Sequence, residues 1–367
     1  MTAPQANPWI RRIHAYVPGS SKGLGAHPPV KLSSNENPWG PSPKAIAALV
    51  DASAGSHRYP DGSATNLRNR IAELHDLDAA RIVCGTGSDE ILHLLPLIYC
   101  QPGDSVIHVQ HGFMVYPIAA RRAGAEPLVA ADRDYTADVD ALLAMVRADT
   151  RVVFIANPNN PTGTMISAAE MARLHAGLRP DILLVIDQAY AEYLPDSDPD
   201  GGLELSRKFA NVLTTRTFSK IYGLGGLRVG WGTGHPDIIA ELNRVRAPFP
   251  IAVPALAAAE AAIEDQAYVD SCRTRNLQQR ARLEDAIAKL SNHGLRAVPS
   301  SANFVLMNCP TEGPLMAGKL YEGLMQAGYI VRWLPSQGLP DALRISVGTE
   351  TETTGFIAAL QALVNHS

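Results

Sequence analysis

Lys220 stands in the run Thr217-Phe218-Ser219-Lys220-Ile221-Tyr222-Gly223-Leu224-Gly225-Gly226-Leu227-Arg228. A lysine amine is the side chain suited to a reversible imine with an aldehyde, and burial lowers its pKa towards nucleophilicity. Ser219 and Arg228 suit a phosphate, the arginine as a two-point donor. By itself the run also reads as an exposed lysine beside a flexible loop. Its place just after a strand pattern favours the chemical reading.

A second group is acidic. Asp187 ends the apolar run Ile182–Ile186, and Tyr190 follows three residues on. A buried carboxylate is costly unless a cation or donor faces it. A protonated heterocyclic nitrogen would be such a partner, and the Tyr190 phenol can reach the same pocket. Capping of the following turn by Asp187 competes with this reading.

Two loops complete the set. In Ile82-Val83-Cys84-Gly85-Thr86-Gly87-Ser88-Asp89-Glu90 a strand pattern ends in Gly-x-Gly and a helical pattern follows. Backbone N–H groups at a helix start, with the helix dipole, make an anion cup. A dinucleotide fingerprint would want glycine at position 90, where Glu90 stands. Taken alone, the segment also fits a plain strand–turn–helix. Asn157-Pro158-Asn159-Asn160-Pro161-Thr162-Gly163 follows another strand pattern, and its prolines and glycine stiffen a loop that can aim the Asn160 amide at a ligand.

The elements that must position these groups alternate. Strands are predicted at Ile82–Cys84, Ser105–Val109, Glu126–Val129, Val152–Ala156, Ile182–Asp187, Val212–Thr215 and Leu227–Trp231. Helical patterns between them include Asp138–Arg147 and Ser167–His175, the latter opened by a capping box, Ser167-x-x-Glu170. Continuous Val/Ile/Leu strands alternating with helices predict an α/β fold with a mostly parallel sheet between helical layers. Ligands bind at the carboxyl edge of such a sheet. From Ala255 to about Leu290 the sequence reads as one or two long helices. Strands near Asn303–Met307, Tyr329–Arg332 and Leu343–Val347 then predict a smaller α+β unit.

The chain has 367 residues, which calls for two units rather than one core. Its net charge of −4 and its balanced charges leave no basic stripe for nucleic acid, so any anion site must be local. None of the four cysteines forms a C-x-x-C pair, and no metal-ligand spacing is present. Without an apolar leader or a membrane-length apolar run, the expected location is the cytoplasm.

These segments, in this order, closely resemble fold-type I pyridoxal-phosphate (PLP) aminotransferases. Within them the chain is similar to the histidinol-phosphate aminotransferase branch. The resemblance also rests on HAYVPG at 14–19, KLSSNENPWGPSP at 31–43, RYPDG at 58–62, ANF at 302–304 and IVRWL…ALRISVGTE at 330–350. It implies a large PLP-binding domain at 38–250, with a mostly parallel seven-stranded sheet. Residues 1–37 would form an arm and part of the small domain, and 251–367 the rest of that domain.

The resemblance assigns roles. Lys220 would carry PLP as a Schiff base and shuttle the substrate proton, while Asp187 would keep the pyridine nitrogen protonated. Asn160 and Tyr190 would donate to the phenolic oxygen of the ring. Backbone groups at Ser88 and Asp89, with Ser219 and Arg228, would hold the phosphate, and Gly87, Phe113 and Thr217 would be further cofactor contacts. Tyr59 would reach the phosphate of a second subunit, which implies a homodimer with shared sites. Arg344 would bind the glutamate carboxylate, with Tyr16, Asn37 and Arg332 as further substrate contacts. The implied reaction passes the amino group of glutamate to the phosphorylated ketone imidazole-acetol phosphate, giving histidinol phosphate.

Two departures stand out. Relatives usually begin the ring-stacking segment with Pro-Thr/Ser and often place Tyr where Phe113 aligns; here it is His111-Gly112-Phe113. Relatives usually have Glu after the strand-end Asp, where this chain has Gln188. Substrate range therefore stays open to an aromatic or broad-range aminotransferase acting on phenylalanine, tyrosine or prephenate. A nucleotide-binding module built on the Gly85–Glu90 loop is the rival from another class.

Overall fold

The computed structural model describes residues 3–15, 29–195 and 201–366. Strand β1 (Val30–Lys31) precedes helices α1 (Pro43–Ser53) and α2 (Thr65–His75). An alternating series follows: β2 (Ile82–Gly85), α3 (Ser88–Tyr99), β3 (Ser105–Val109), α4 (Val115–Arg122) and β4 (Glu126–Ala130). A small hairpin, β5 (Asp132–Arg133) and β6 (Thr136–Ala137), leads to α5 (Val139–Ala144), β7 (Thr150–Ala156), α6 (Ala168–Gly177) and β8 (Leu183–Asp187). Then come α7 (Gly202–Lys208), β9 (Val212–Thr217), β10 (Gly230–Gly234) and α8 (Pro236–Val245).

Seven of these strands form one sheet in the order β2-β10-β9-β8-β7-β3-β4. Only β10 runs antiparallel to its neighbours. Alternation along the strands divides the core. Val152, Phe154, Val185 and Leu213 pack with Ile91, Leu95, Ile238 and Leu242 of α3 and α8. Val153, Ile155, Leu184 and Val212 pack with Leu142, Met171 and Leu205 of α5, α6 and α7. Helices therefore cover both faces, which is why these strands read as unbroken apolar runs.

The rest of the chain holds α9 (Val253–Glu264), α10 (Gln266–Ala288), β11 (Arg296–Val298), β12 (Phe304–Asn308), α11 (Ala317–Gln326), β13 (Tyr329–Ile330), β14 (Arg332–Leu334), β15 (Leu339–Ser346) and α12 (Glu350–Asn365). Strands β11-β12-β15-β14 make an antiparallel sheet. Leu283, Leu320, Leu324, Phe356 and Leu360, from α10, α11 and α12, cover it. Strand β1 pairs in parallel with β13 in a separate two-stranded sheet, and Leu32 just after it packs with Val305, Leu343 and Phe356 of the smaller unit.

Three sequence expectations shift. The strand expected at Leu227–Trp231 begins at Gly230, because Gly225–Leu227 is a 3-10 turn and Arg228 takes φ +57°. The capping box at Ser167 is half made: Ser167 Oγ accepts from the Glu170 N–H at 3.3 Å, but the Glu170 carboxylate pairs with Arg173. Helix α9, which a division at residue 250 places in the smaller unit, packs instead with α1 and α2 through Ala45, Leu67, Ile71, Ala255 and Ala259. Its small alanine face allows that close approach.

Candidate active site

The loops after β7, β8 and β9 leave the sheet at one edge, and a cavity of about 500 Å³ opens there. It is lined by Lys220, Asp187, Tyr190, Asn160, Arg344 and Arg332, together with Phe113, Ser88, Asp89, Thr217, Ser219 and Arg228. Segments separated by more than two hundred residues thus meet in one space, of a size that takes a cofactor and a small substrate.

Asp187 lies at the buried end of β8, 4% exposed. Tyr116 donates its hydroxyl to Oδ2 at 2.9 Å, and Thr215, beside Asp187 in the sheet, donates to Oδ1 at 3.2 Å. Burial raises the carboxyl from its usual 3.8 to about 6, against the Tyr116 hydrogen bond, which pulls it down. The fold therefore holds an acid that gains from a cation placed beside it. Tyr116 was not singled out in the sequence. It sits three residues beyond Phe113 in an apolar stretch, stacked on Phe154 at 4.8 Å, and reads as core.

Lys220 follows β9 and is part-buried. Its Nζ lies 3.5 Å from the Ser34 carbonyl and 5.6 Å from the centre of the Tyr190 ring. The Tyr190 hydroxyl accepts from Asn35 Nδ2 at 3.0 Å, and burial lifts this phenol to about 12, so it stays a donor at neutral pH. Asn35, at φ +55°, also exchanges hydrogen bonds with Ser346. Of the two asparagines in Asn35-Glu36-Asn37, the cavity takes the first. The Asn37 side chain turns to the Ile221 carbonyl (2.7 Å) and the Cys272 sulfur (3.4 Å) and is not among the lining residues, because it pins the strand-to-helix turn. The spacing alone does not say which asparagine faces in.

An anion cradle sits at the start of α3. Gly87 caps the helix at φ +78°, leaving the Ser88 and Asp89 N–H groups at its first turn. Arg228 bends back to donate to Ser219 Oγ (3.1 Å) and Asp89 Oδ2 (3.1 Å). A side chain on Gly230 would lie 2.2 Å from the Ser88 nitrogen, so only glycine lets β10 pass this helix start. Glu90 closes the loop from below, taking hydrogen bonds from the Thr86 N–H (2.7 Å) and hydroxyl (3.0 Å). The residue that breaks the dinucleotide pattern is the pin of this turn.

Arg344 on β15 donates to Asn160 Oδ1 at 2.5 Å and to the Ser33 carbonyl at 2.8 Å, with its guanidinium 5.3 Å over the Phe304 ring. Arg332 on β14 is its cross-strand neighbour. Two guanidiniums on one edge of a cavity make a site for carboxylate or phosphate. Asn160 is held in a loop with cis bonds before Pro158 and Pro161. Tyr59 lies away from this cavity, 81% exposed and stacked on Phe249 at 4.6 Å. Tyr16 lies outside the described residues.

These residues fit PLP. A buried acid gains from a pyridinium, a helix start with Ser219 and Arg228 suits a phosphate, and an amine and a phenol line the space between. Among the described residues no cluster of His, Cys, Asp or Glu could hold a metal ion.

The chain is similar to known proteins along nearly its whole length. The profile of the family "Aminotransferase class I and II" matches residues 27–360. The chain is 54% identical to histidinol-phosphate aminotransferase of Erythrobacter litoralis, over 95% of this chain and 94% of that one. It is 52% identical to the enzyme of that name from Zymomonas mobilis, over 100% and 99%. The crystal structure of histidinol-phosphate aminotransferase from Sinorhizobium meliloti with pyridoxal-5'-phosphate superimposes with a TM-score of 0.89 at 26% identity, covering 100% of this chain and 99% of that one.

Proposed function

We infer the function from one premise: the chain belongs to the aminotransferase class I and II family. It is a PLP-dependent aminotransferase of histidine biosynthesis. It exchanges an amino group between L-glutamate and imidazole-acetol phosphate, giving 2-oxoglutarate and L-histidinol phosphate. The observation that carries the reading in this molecule is the shared cavity. Lys220, Asp187 and the Arg344–Arg332 pair line one space.

When bound, PLP supplies the electron sink that makes the substrate α-proton removable. The protein does the rest. Lys220 Nζ, which lines the cavity, would take the substrate α-proton and hold it for return. Asp187 would keep positive charge on the ring nitrogen, since a cation stabilises its buried carboxylate. Tyr190 and Asn160 would hold the ring through its phenolic oxygen, and Phe113 would pack against it. Ser88, Asp89, Ser219 and Arg228 would hold the phosphate. Arg344 binds the glutamate carboxylate in one half-reaction, and Arg332 with Arg344 takes the substrate phosphate in the other. Gln188 leaves this set intact: its Oε1 accepts from Arg216 Nε at 3.0 Å, behind the acid.

A homodimer with shared sites completes the reading. Tyr59 and Phe249 form an exposed aromatic pair, and Ile46 and Val50 of α1 are exposed as well. Exposed apolar side chains of this kind suit a second copy, into whose phosphate cradle Tyr59 would reach. No helix among the described residues is long and apolar enough to cross a membrane, and a cytoplasmic location suits this metabolic role.

Half-reactions with histidinol phosphate, histidinol and phenylalanine test the substrate. Histidinol phosphate is expected to react fastest by a wide margin. Equal rates with histidinol would show that the phosphate is not read. Borohydride reduction followed by peptide mapping is expected to fix the cofactor on Lys220, and Lys220→Ala to bind PLP only reversibly.

A further inference from the structure

His111 stands two residues past the end of β3 and two before Phe113. It is 8% exposed, and its Nδ1 donates to Asp132 Oδ2 at 2.7 Å. Both side chains are buried, 9% and 8% exposed. A short bond from an imidazole to a carboxylate in a dry setting is strong and directional.

The pair joins three parts of the molecule. The His111 carbonyl accepts from Asn159 Nδ2 at 2.8 Å, and Asn159 adjoins the ligand-facing Asn160. Asp132 begins the β5–β6 hairpin. At the tip of that hairpin Tyr135 packs on Val298, Leu306, Leu334, Leu339 and Ala342 of the smaller sheet. The Tyr135 ring lies 5.7 Å from His111, and its carbonyl accepts from Thr164 Oγ1 at 2.6 Å. Nε2 of His111 faces Gly338, 3.6 Å from where a side chain would begin. Gly338 opens into β15, the strand that carries Arg344. Gly112 cannot stiffen the segment, since any Cβ there would fall 2.9 Å from the Val109 carbonyl oxygen. The aim of Phe113 therefore depends on what holds His111.

We propose that the His111–Asp132 pair positions the cofactor-stacking loop: it fixes Phe113 against the ring and registers that loop with both the Asn159–Asn160 loop and the smaller sheet. The pair touches neither cofactor nor substrate and acts through Phe113 and Asn160. The proposal rests on the PLP reading above. Removing one partner frees the Phe113 backbone and leaves the other buried and unpaired, which weakens PLP binding and lets the ring rotate.

The test uses the full-length protein and PLP itself. Apoprotein of the wild type and of His111→Ala, Asp132→Ser and Asp132→Asn is titrated with PLP, and the visible circular dichroism of the bound cofactor is recorded. His111→Ala and Asp132→Ser are expected to raise the PLP dissociation constant about tenfold, the scale of one charged hydrogen bond, and to shrink the visible dichroic band. Asp132→Asn keeps an acceptor for Nδ1 and is expected to restore most of both. If His111→Ala does not fold, the two Asp132 variants carry the test. Folded variants with wild-type dichroism and affinity would overturn the proposal, as would a lower melting temperature with both unchanged. Wild type that binds no PLP would overturn the aminotransferase reading instead.

Discussion

The Tyr116 hydroxyl donates to Asp187 Oδ2 at 2.9 Å, from a ring stacked on Phe154 and wholly buried. That bond loosens the acid's hold on a proton, against the larger effect of burial. Burial raises the carboxyl and the phenol opposes that rise. Tyr116→Phe is expected to push the Asp187 carboxyl further up and to cost about 1–2 kcal/mol of stability, the scale of a buried hydrogen bond to an acid. Urea unfolding measures the cost. The pH dependence of PLP binding is expected to move to higher pH, and an unchanged profile would show that Tyr116 does not tune the acid.

The raised carboxyl also fixes a sign for stability. Asp187 goes from about 3.8 unfolded to about 6 in the folded protein without cofactor. Between those values the native state binds more protons than the unfolded one, so stability from this group falls as pH rises from about 4 to about 6. Above that range the fold carries a constant penalty of order 3 kcal/mol, two pKa units' worth. Apoprotein of Asp187→Asn is therefore expected to be at least as stable as wild-type apoprotein at pH 7, while binding PLP far more weakly. Guanidinium melts of both apoproteins at pH 4.5 and 7 check this. A variant less stable at both pH values would contradict it.

Arg344 is placed by Asn160 and the Ser33 carbonyl with its fork towards the cavity. Arg344→Lys keeps the charge and loses the two-point geometry. Its kcat/KM for glutamate is expected to fall about a hundredfold, the loss of roughly 2.7 kcal/mol of charged hydrogen bonding. The loss is expected mainly in KM. Steady-state kinetics with glutamate and histidinol phosphate measure both. An equal fall for an amine substrate with neither carboxylate nor phosphate would mean that the arginine supports the fold instead.

Gly87 lies at φ +78°, and a Cβ there would fall 2.5 Å from the Arg228 guanidinium. Gly87→Ala is expected to cost about 1–3 kcal/mol in backbone strain, because φ +78° with ψ 167° is a region essentially only glycine occupies, and to push Arg228 off the phosphate position. The dissociation constant for PLP should rise about tenfold or more, while pyridoxal without phosphate binds nearly as before. Parallel titrations with the two compounds separate the effects.

Much of the site was legible because its residues carry unusual chemistry in stiff local settings. A lysine between hydroxyls and glycines, an acid at the end of an apolar strand and a loop with two prolines are local signals. The fold class was legible for a similar reason: strands covered on both faces must be apolar at every position, as Val152–Ala156 and Leu183–Asp187 are. Residues whose role depends on a distant partner were not. Tyr116 looks like core until the strand holding Asp187 is laid beside it. Asn35 and Asn37 differ by two positions in an irregular segment, where no period says which one faces inward.

The sequence by itself determined the chemistry on offer and the alternation that builds the sheet, because both are encoded within a few neighbouring residues. The tertiary structure alone decided which groups meet. It turned Asn37 away and Asn35 in, gave Asp187 two hydroxyl donors, set Arg344 against Asn160, and moved α9 onto α1 and α2. Those choices depend on packing between segments hundreds of residues apart, where shape and burial over the whole chain select one partner among several that local sequence permits.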